Sequence, residues 1–218
     1  MPSSQTQPEP AVPREGLRAR KRRATENAIE LAGVELALEH GLAAVTIAEI
    51  CERAQISRST FFNYMPSREA AIMGRPVDVL PHEIGFALLD SAAGDVPLGL
   101  LRVVVASIGH SGVNAPVAAA RRRLAAEQPE AAKLQQATLA DLRRALIALT
   151  LDWLNARPTQ RMLQGSVQRE VLLLVGIAGI VAEVLLDEWS QADGETQISE
   201  ESLHATVSDL AALLRRTA

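Results

Sequence analysis

The sequence predicts an all-α protein of about nine to ten helices, a small three-helix head followed by a larger helical bundle. Three observations predict it. Apolar residues recur at helical spacing almost throughout, Ser, Thr, Gly and Pro punctuate the pattern at short intervals, and no alternating strand pattern reaches a useful length.

The elements follow in chain order. Residues 1–13 hold four prolines with Ser and Gln and almost no apolar side chains, so they cannot offset the entropy of ordering and read as a disordered arm. From Arg14 to Arg23 come six positive charges and Glu15, a basic cluster expected just before the first helix. That helix shows Ile29, Ala32, Gly33, Leu36 and Ala37 on one face, and Gly41 stops it. Thr46 and Glu49 are spaced as a capping box for a second helix carrying Ile47, Ile50, Cys51 and Ala54. Ser57 caps a third over Arg58 to Tyr64, and Ser67 caps a fourth over Arg68 to Met73, ended by Gly74 and Pro76.

Two two-turn helices joined by a short turn and braced by a longer one form a helix-turn-helix unit, which sets a head at 14–73 and a helical domain at 74–218. Beyond Val77 the breaks at Pro81, Gly94 to Pro97, Gly112 to Pro116, Pro129, Pro158 and Asp193 to Thr196 leave about six helices. The two long ones run Glu130 to Ala156 and roughly Gln160 to Gln191, and the last is opened by Ser199.

Composition excludes several function classes. The longest apolar run, Val171 to Leu186, has 16 residues and includes Glu183, short of a membrane span, so no membrane partner is expected. Cys51 is the only cysteine and the start of the chain lacks a charged and then apolar leader, which makes a cytoplasmic location the expectation. His40, His82, His110 and His204 are scattered without ligand spacing, so no metal and no cofactor are expected. No Gly-rich phosphate loop, nucleophile elbow or paired carboxylates occur, and the chain is not expected to be an enzyme. Net charge is -4, but residues 1–68 carry +1 and the rest -5, so the two parts face different partners.

A recognition helix must present polar side chains to base edges while its other face packs inward. Ile56, Phe61 and Met65 take the inward places, leaving Arg58, Ser59, Thr60, Phe62 and Asn63 outward. Arg58 suits a bidentate contact to guanine and Asn63 one to adenine. Arg18, Arg20, Lys21, Arg22 and Arg23 are placed to follow the phosphate backbone or enter the minor groove.

The stretch TIAEICERAQISRSTFFNYMPSREA, residues 46–70, together with Leu38 to Gly41 before it, closely resembles the DNA-binding signature of the TetR repressor family. The resemblance covers about residues 20–73, a third of the chain. It implies that Thr46, Thr60, Tyr64 and Arg68 hold phosphates, contacts that set position rather than sequence. Two residues depart from the family pattern: Gln55 stands where the turn commonly has Gly, and Phe62 where Tyr is commonest. The resemblance also implies a dimer through the last two helices, with Val171, Leu174, Ala178, Val181 and Leu185 from one and Leu203, Val207, Leu210 and Leu214 from the other, and small residues such as Gly176 and Gly179 allowing close approach. A two-fold dimer would set two recognition helices on a pseudopalindromic duplex.

The functional expectation is a repressor released from its operator by a small molecule. With six aromatic residues in the chain, its pocket would be aliphatic and suit a lipophilic or acyl-bearing effector, with promiscuous drug sensing equally open. The helix after Ser67 is the natural coupler between effector and head, though Gly74 and Pro76 cut it short. Two alternatives stay open: an architectural DNA-binding regulator without a ligand, and a helical interaction module whose head no longer binds DNA. Arg121, Arg122 and Arg123 read as a solvated face, Cys51 as a core thiol, and Trp153 and Trp189 as core or interface anchors.

Overall fold

The computed structural model describes residues 17–75, 77, 79–108, 112–191, 195–197 and 199–217. The arm, Arg14 and Pro76 lie outside them. Among the described residues the chain forms ten α-helices: α1 (Leu17–His40), α2 (Ile47–Arg53), α3 (Arg58–Tyr64), α4 (Arg68–Met73), α5 (His82–Ser91), α6 (Val96–Ile108), α7 (Ala115–Glu127), α8 (Pro129–Ala156), α9 (Val167–Ser190) and α10 (Glu200–Thr217).

The head forms as its local signals dictate. Gly41 ends α1 at φ +88°. Thr46 and Glu49 close a complete capping box, while the Ser57 and Ser67 hydroxyls accept the Thr60 and Ala70 N–H groups at 3.0 Å each. The turn between α2 and α3 holds Gln55 at φ +54°, the left-handed conformation that the sequence anticipates at the place of the usual glycine. The basic cluster is not ahead of the first helix: α1 begins at Leu17, so Arg18 to Arg23 are its opening turns. Leu, Arg, Ala and Lys all favour helix, and nothing among them stops it.

Two further expectations are corrected. The helix expected from about Gln160 begins at Val167, after a 3-10 turn at Pro158–Gln160. Glu170, buried at 1% exposure, reaches back to accept the Met162 N–H at 2.6 Å and Arg161 Nε at 3.1 Å, folding residues 161–166 into a loop instead. A pair of strands does form: β1 (Gly112–Asn114) lies antiparallel to β2 (Glu195–Gln197), with Val113 opposite Thr196. Three residues are too few to leave a readable alternation.

Two apolar clusters organise the molecule. The bundle's cluster joins Leu89, Leu100, Leu101 and Val103 to Leu149, Trp153, Val171, Val175, Val181 and Leu185. At Gly99, α6 comes so near α5 that an added Cβ would stand 3.1 Å from Leu89 Cα. The head's cluster centres on Ile29, Val34, Ile50, Phe61, Met65 and Ile72, and includes Leu124 of α7 and Ala131 of α8, both fully buried. The head is therefore packed directly on α7, not only joined to the bundle by a linker.

Candidate nucleic-acid interface

Helix α3 is fixed by one large anchor. Phe61 is fully buried in the head's cluster, Met65 is 1% exposed beside it, and Phe62 meets Phe61 edge-on with centroids 5.4 Å apart. The opposite face is left to solvent. Arg58, Ser59, Phe62 and Asn63 are exposed and Thr60 and Tyr64 half-buried, the inside-outside division that the sequence predicts. The Arg58 guanidinium lies over the Phe62 ring, 5.8 Å from its centroid. A cation resting on an aromatic face is held near one orientation, which presents the guanidinium edge beside an apolar ring able to pack on a sugar or a thymine methyl.

Polar and charged groups flank α3 at both ends. At its start, the Ser57 hydroxyl lies 2.8 Å from both the Ser59 and Thr60 hydroxyls. At its end, Arg22 of α1 stands over the Tyr64 ring at 5.8 Å, and Arg22 Nε and Arg75 Nη2 both donate to Glu26 Oε1 at 3.3 Å. Arg75 also donates to the Tyr64 carbonyl. Arg20 and Lys21 are exposed on the same opening turns of α1.

Thr46 and Arg68 occupy a second patch. The Thr46 hydroxyl donates to Glu49 Oε2 at 2.7 Å, and its backbone N–H donates to the same oxygen at 2.8 Å. These bonds hold the Glu49 carboxyl below its ordinary range. Arg68 Nη1 donates to the Val45 carbonyl at 2.9 Å and the Ala43 carbonyl at 3.2 Å, while Nε and Nη2 bond Glu69. Arg68 thus ties α4 to the turn before α2 and keeps only part of its guanidinium toward solvent. Arg53 forms a two-pronged pair with Glu39 at 2.6 and 2.7 Å, bracing α2 on α1 and lowering the Glu39 pKa.

Arg75 is the member that sequence reading misses. It sits 11 residues from Tyr64 and 49 from Glu26, and no local spacing announces either contact. Cys51 is buried, and burial pushes its thiol pKa up, as suits a core position rather than a reactive one. Among the described residues no group of three or more His, Cys, Asp or Glu side chains could hold a metal ion, and no helix is long and apolar enough to cross a membrane.

The residues expected at a dimer interface divide differently. Val171, Leu174, Ala178, Val181, Leu185 and Leu203 are at most 4% exposed inside one protomer's own core, and Val207 and Leu210 pack against that core. Leu214 alone of that set is well exposed, at 53%. The apolar side chains that α9 leaves in solvent are the intervening ones, Leu172, Leu173, Ile180, Val184 and Leu186.

Two short helices, α2 capped by Thr46 and α3 capped by Ser57, joined by a tight turn, with Phe61 buried and arginine, serine and asparagine offered to solvent, form a helix-turn-helix head. Residues 31–70 match the family described as bacterial regulatory proteins, tetR family. Among solved structures the chain is similar to the reduced form of Escherichia coli NemR, with 16% identity and a TM-score of 0.43 over 85% of this chain and 95% of that one. It is similar also to Salmonella enterica GusR, at 15% identity and TM-score 0.37 over 88% and 96% of the two chains. A third is Thermus thermophilus FadR, a TetR family transcriptional repressor in complex with lauroyl-CoA, at 20% identity and TM-score 0.28 over 85% and 93%. No curated protein matches the chain.

Proposed function

We propose that the protein is a dimeric transcriptional repressor that holds a pseudopalindromic operator through α3 and is released from it by a small molecule. The observation that carries this reading is the exposed face of α3, where Arg58, Ser59, Phe62 and Asn63 stand outward on a helix whose inner face is locked by Phe61. Arg58 is assigned to a guanine and Asn63 to an adenine, each worth about 1–3 kcal/mol of base discrimination. Arg20, Lys21, Arg22, Thr46, Thr60, Tyr64 and Arg68 are assigned to the sugar-phosphate backbone, and Arg75 joins them through its contact with the end of α3.

The proposed dimer face is the solvent side of α9 with the end of α10: Leu172, Leu173, Ile180, Val184, Leu213 and Leu214 are all more than 40% exposed. A Cβ added at Gly176 or Gly179 would meet nothing described within 4 Å beyond its chain neighbours and the backbone of its own helix, so a second copy can approach α9 there. Single exposed leucines are ordinary on a monomer, but a contiguous strip along one helix is the kind of surface that a partner covers. A two-fold through it presents two α3 helices to one duplex.

The proposed effector is lipophilic or acyl-bearing, because the side chains that pack the bundle's interior are mostly Leu and Val and a site opened among them would be apolar. To move the dimer from 99:1 bound-competent to the reverse, it must favour the released form about ten-thousand-fold. A titration calorimetry screen of the purified protein against aliphatic acids, acyl thioesters and polar metabolites tests this step. Binding by the apolar compounds that weakens DNA affinity is expected, and binding by polar metabolites alone overturns the effector class. Fluorescence anisotropy against DNA flanking the protein's own gene tests the operator step, with selective binding over scrambled DNA expected.

A further inference from the structure

Helix α7 places three consecutive arginines in three different environments. Arg121 points to the head: its Nε donates to the Ile72 carbonyl at 2.8 Å, Nη2 donates to the Ala71 carbonyl at 3.3 Å, and Nη2 lies 3.1 Å from Glu30 on α1. Arg122 points to the bundle, bonding Asp187 and, at 3.0 Å, the Ser190 hydroxyl near the end of α9. Arg123 bonds Glu127 of its own helix, at 2.6 Å. The Ala71 and Ile72 carbonyls belong to the last turn of α4, which has no following turn to satisfy them, so a guanidinium there both completes their hydrogen bonds and meets the negative end of the helix. Gly74, at φ +96°, gives the guanidinium room, since a Cβ there would stand 3.3 Å from Arg121 Nη1.

Gln128 repeats the arrangement on α1. This single residue between α7 and α8 donates from Nε2 to the Ala37 carbonyl at 2.7 Å and accepts the Leu42 N–H at Oε1 at 2.9 Å. Two head helices thus have their C-terminal ends held by side chains from one helix and its cap, with Leu124 buried between those holds. The N-terminal end of α7 is tied elsewhere: Asn114 caps it through the Val117 N–H at 3.4 Å and pairs across the strand ladder with Glu195, in the connection between α9 and α10.

We infer that Arg121 and Gln128 are positioning residues that clasp the DNA-binding head at the ends of α1 and α4, and that α7, fastened at its other side to α9, is the element through which the bundle sets the angle of the head. Helix α4, which ends at Met73, holds one of the clasped ends rather than transmitting the motion itself. The inference rests on the regulator reading only for its consequence on DNA, not for the clasp.

The test measures the pose of the head directly. Spin labels are placed at Glu52→Cys on α2 and Ala148→Cys on α8, both exposed, in a Cys51→Ala background, with the labelled chain diluted in unlabelled chain so that pulsed-dipolar distances are within one protomer. A single narrow distance distribution is expected for the parent and for Arg123→Ala. Arg121→Ala with Gln128→Ala should broaden it at least twofold with helix content unchanged, and Arg121→Lys alone, which keeps a charged donor, should broaden it less. An unchanged width in the double alanine variant overturns the clasp, and so does equal broadening by Arg123→Ala.

Duplexes whose half-sites are moved apart by about 5 base pairs, half a helical turn, give the second readout. The native dimer should lose at least tenfold in affinity on such DNA and the clasp variant less than threefold. Should the native protein bind no duplex selectively while the distances still broaden, the regulator reading falls and the clasp stands.

Discussion

Gln55 shows how one backbone angle is legible before any coordinates exist. It stands where the TetR signature commonly has Gly, so that resemblance points to the left-handed region, and Gln55 adopts it at φ +54° without being glycine. Such a residue costs about 1–2 kcal/mol relative to a conformation free of that clash. Gln55→Gly is expected to raise stability by about 1 kcal/mol in urea unfolding, part of the relief being offset by the greater freedom of glycine in the unfolded chain. Thr46→Ala removes the hydroxyl of the capping box and is expected to lower stability by about 1 kcal/mol in the same assay. These effects are readable because caps and turns act over three or four residues. Arg121 is not: its carbonyl acceptors are 49 and 50 residues away and its carboxylate partner, Glu30, lies on α1, so a run of three arginines looks like a solvated face until the chain is folded.

Helix α9 is the element on which sequence and structure part most clearly. Its composition announces a buried helix, but with apolar residues around most of its circumference the periodicity cannot say which stripe faces its own bundle and which is left over. Packing decides, turning Val171, Leu174, Val181 and Leu185 inward and Leu172, Leu173 and Ile180 outward. Ile180→Asp places a charge in the proposed two-fold face, and sedimentation equilibrium should then show a dimer at least tenfold weaker than the native one. A native protein that sediments as a monomer at micromolar concentration would remove the interface.

The start of α9 carries a pH signature. Burial pushes the Glu170 carboxyl pKa up, but the Met162 N–H, Arg161 and the Leu163 N–H together outweigh burial and hold it below the ordinary range. A carboxylate with a lowered folded pKa contributes stability that is present above its unfolded value, near 4.3 for a glutamate, and is lost as pH falls through the folded value. Glu170→Gln keeps the size and removes the charge. It is expected to cost about 1–3 kcal/mol at pH 7, and thermal unfolding between pH 5 and 3 should fall less steeply for the variant than for the native chain.

At the scale of the whole molecule the charge is divided, with the head slightly positive and the rest negative, although the total is -4. In the proposed complex the duplex meets the protein at the head, with Arg20, Lys21 and Arg22 on the opening turns of α1 assigned to phosphates. Replacing any one of these three with Ala should lower the salt dependence of DNA affinity by about one unit of slope, uniformly across sequences, whereas Arg58→Ala should relax specificity at one base position. The packing of α7 into the head is not legible in the sequence, because Leu124 and Ala131 look like any other apolar residues of a helical domain. The most direct measurement is selection of bound sequences from a pool of randomised duplexes by the native protein and by Arg58→Ala. The reading of α3 as a recognition helix in a two-fold dimer predicts an enriched inverted repeat with a guanine in each half-site that the variant no longer requires. A pool that stays random after selection by the native protein, with weak and equal affinity for every duplex, would contradict it.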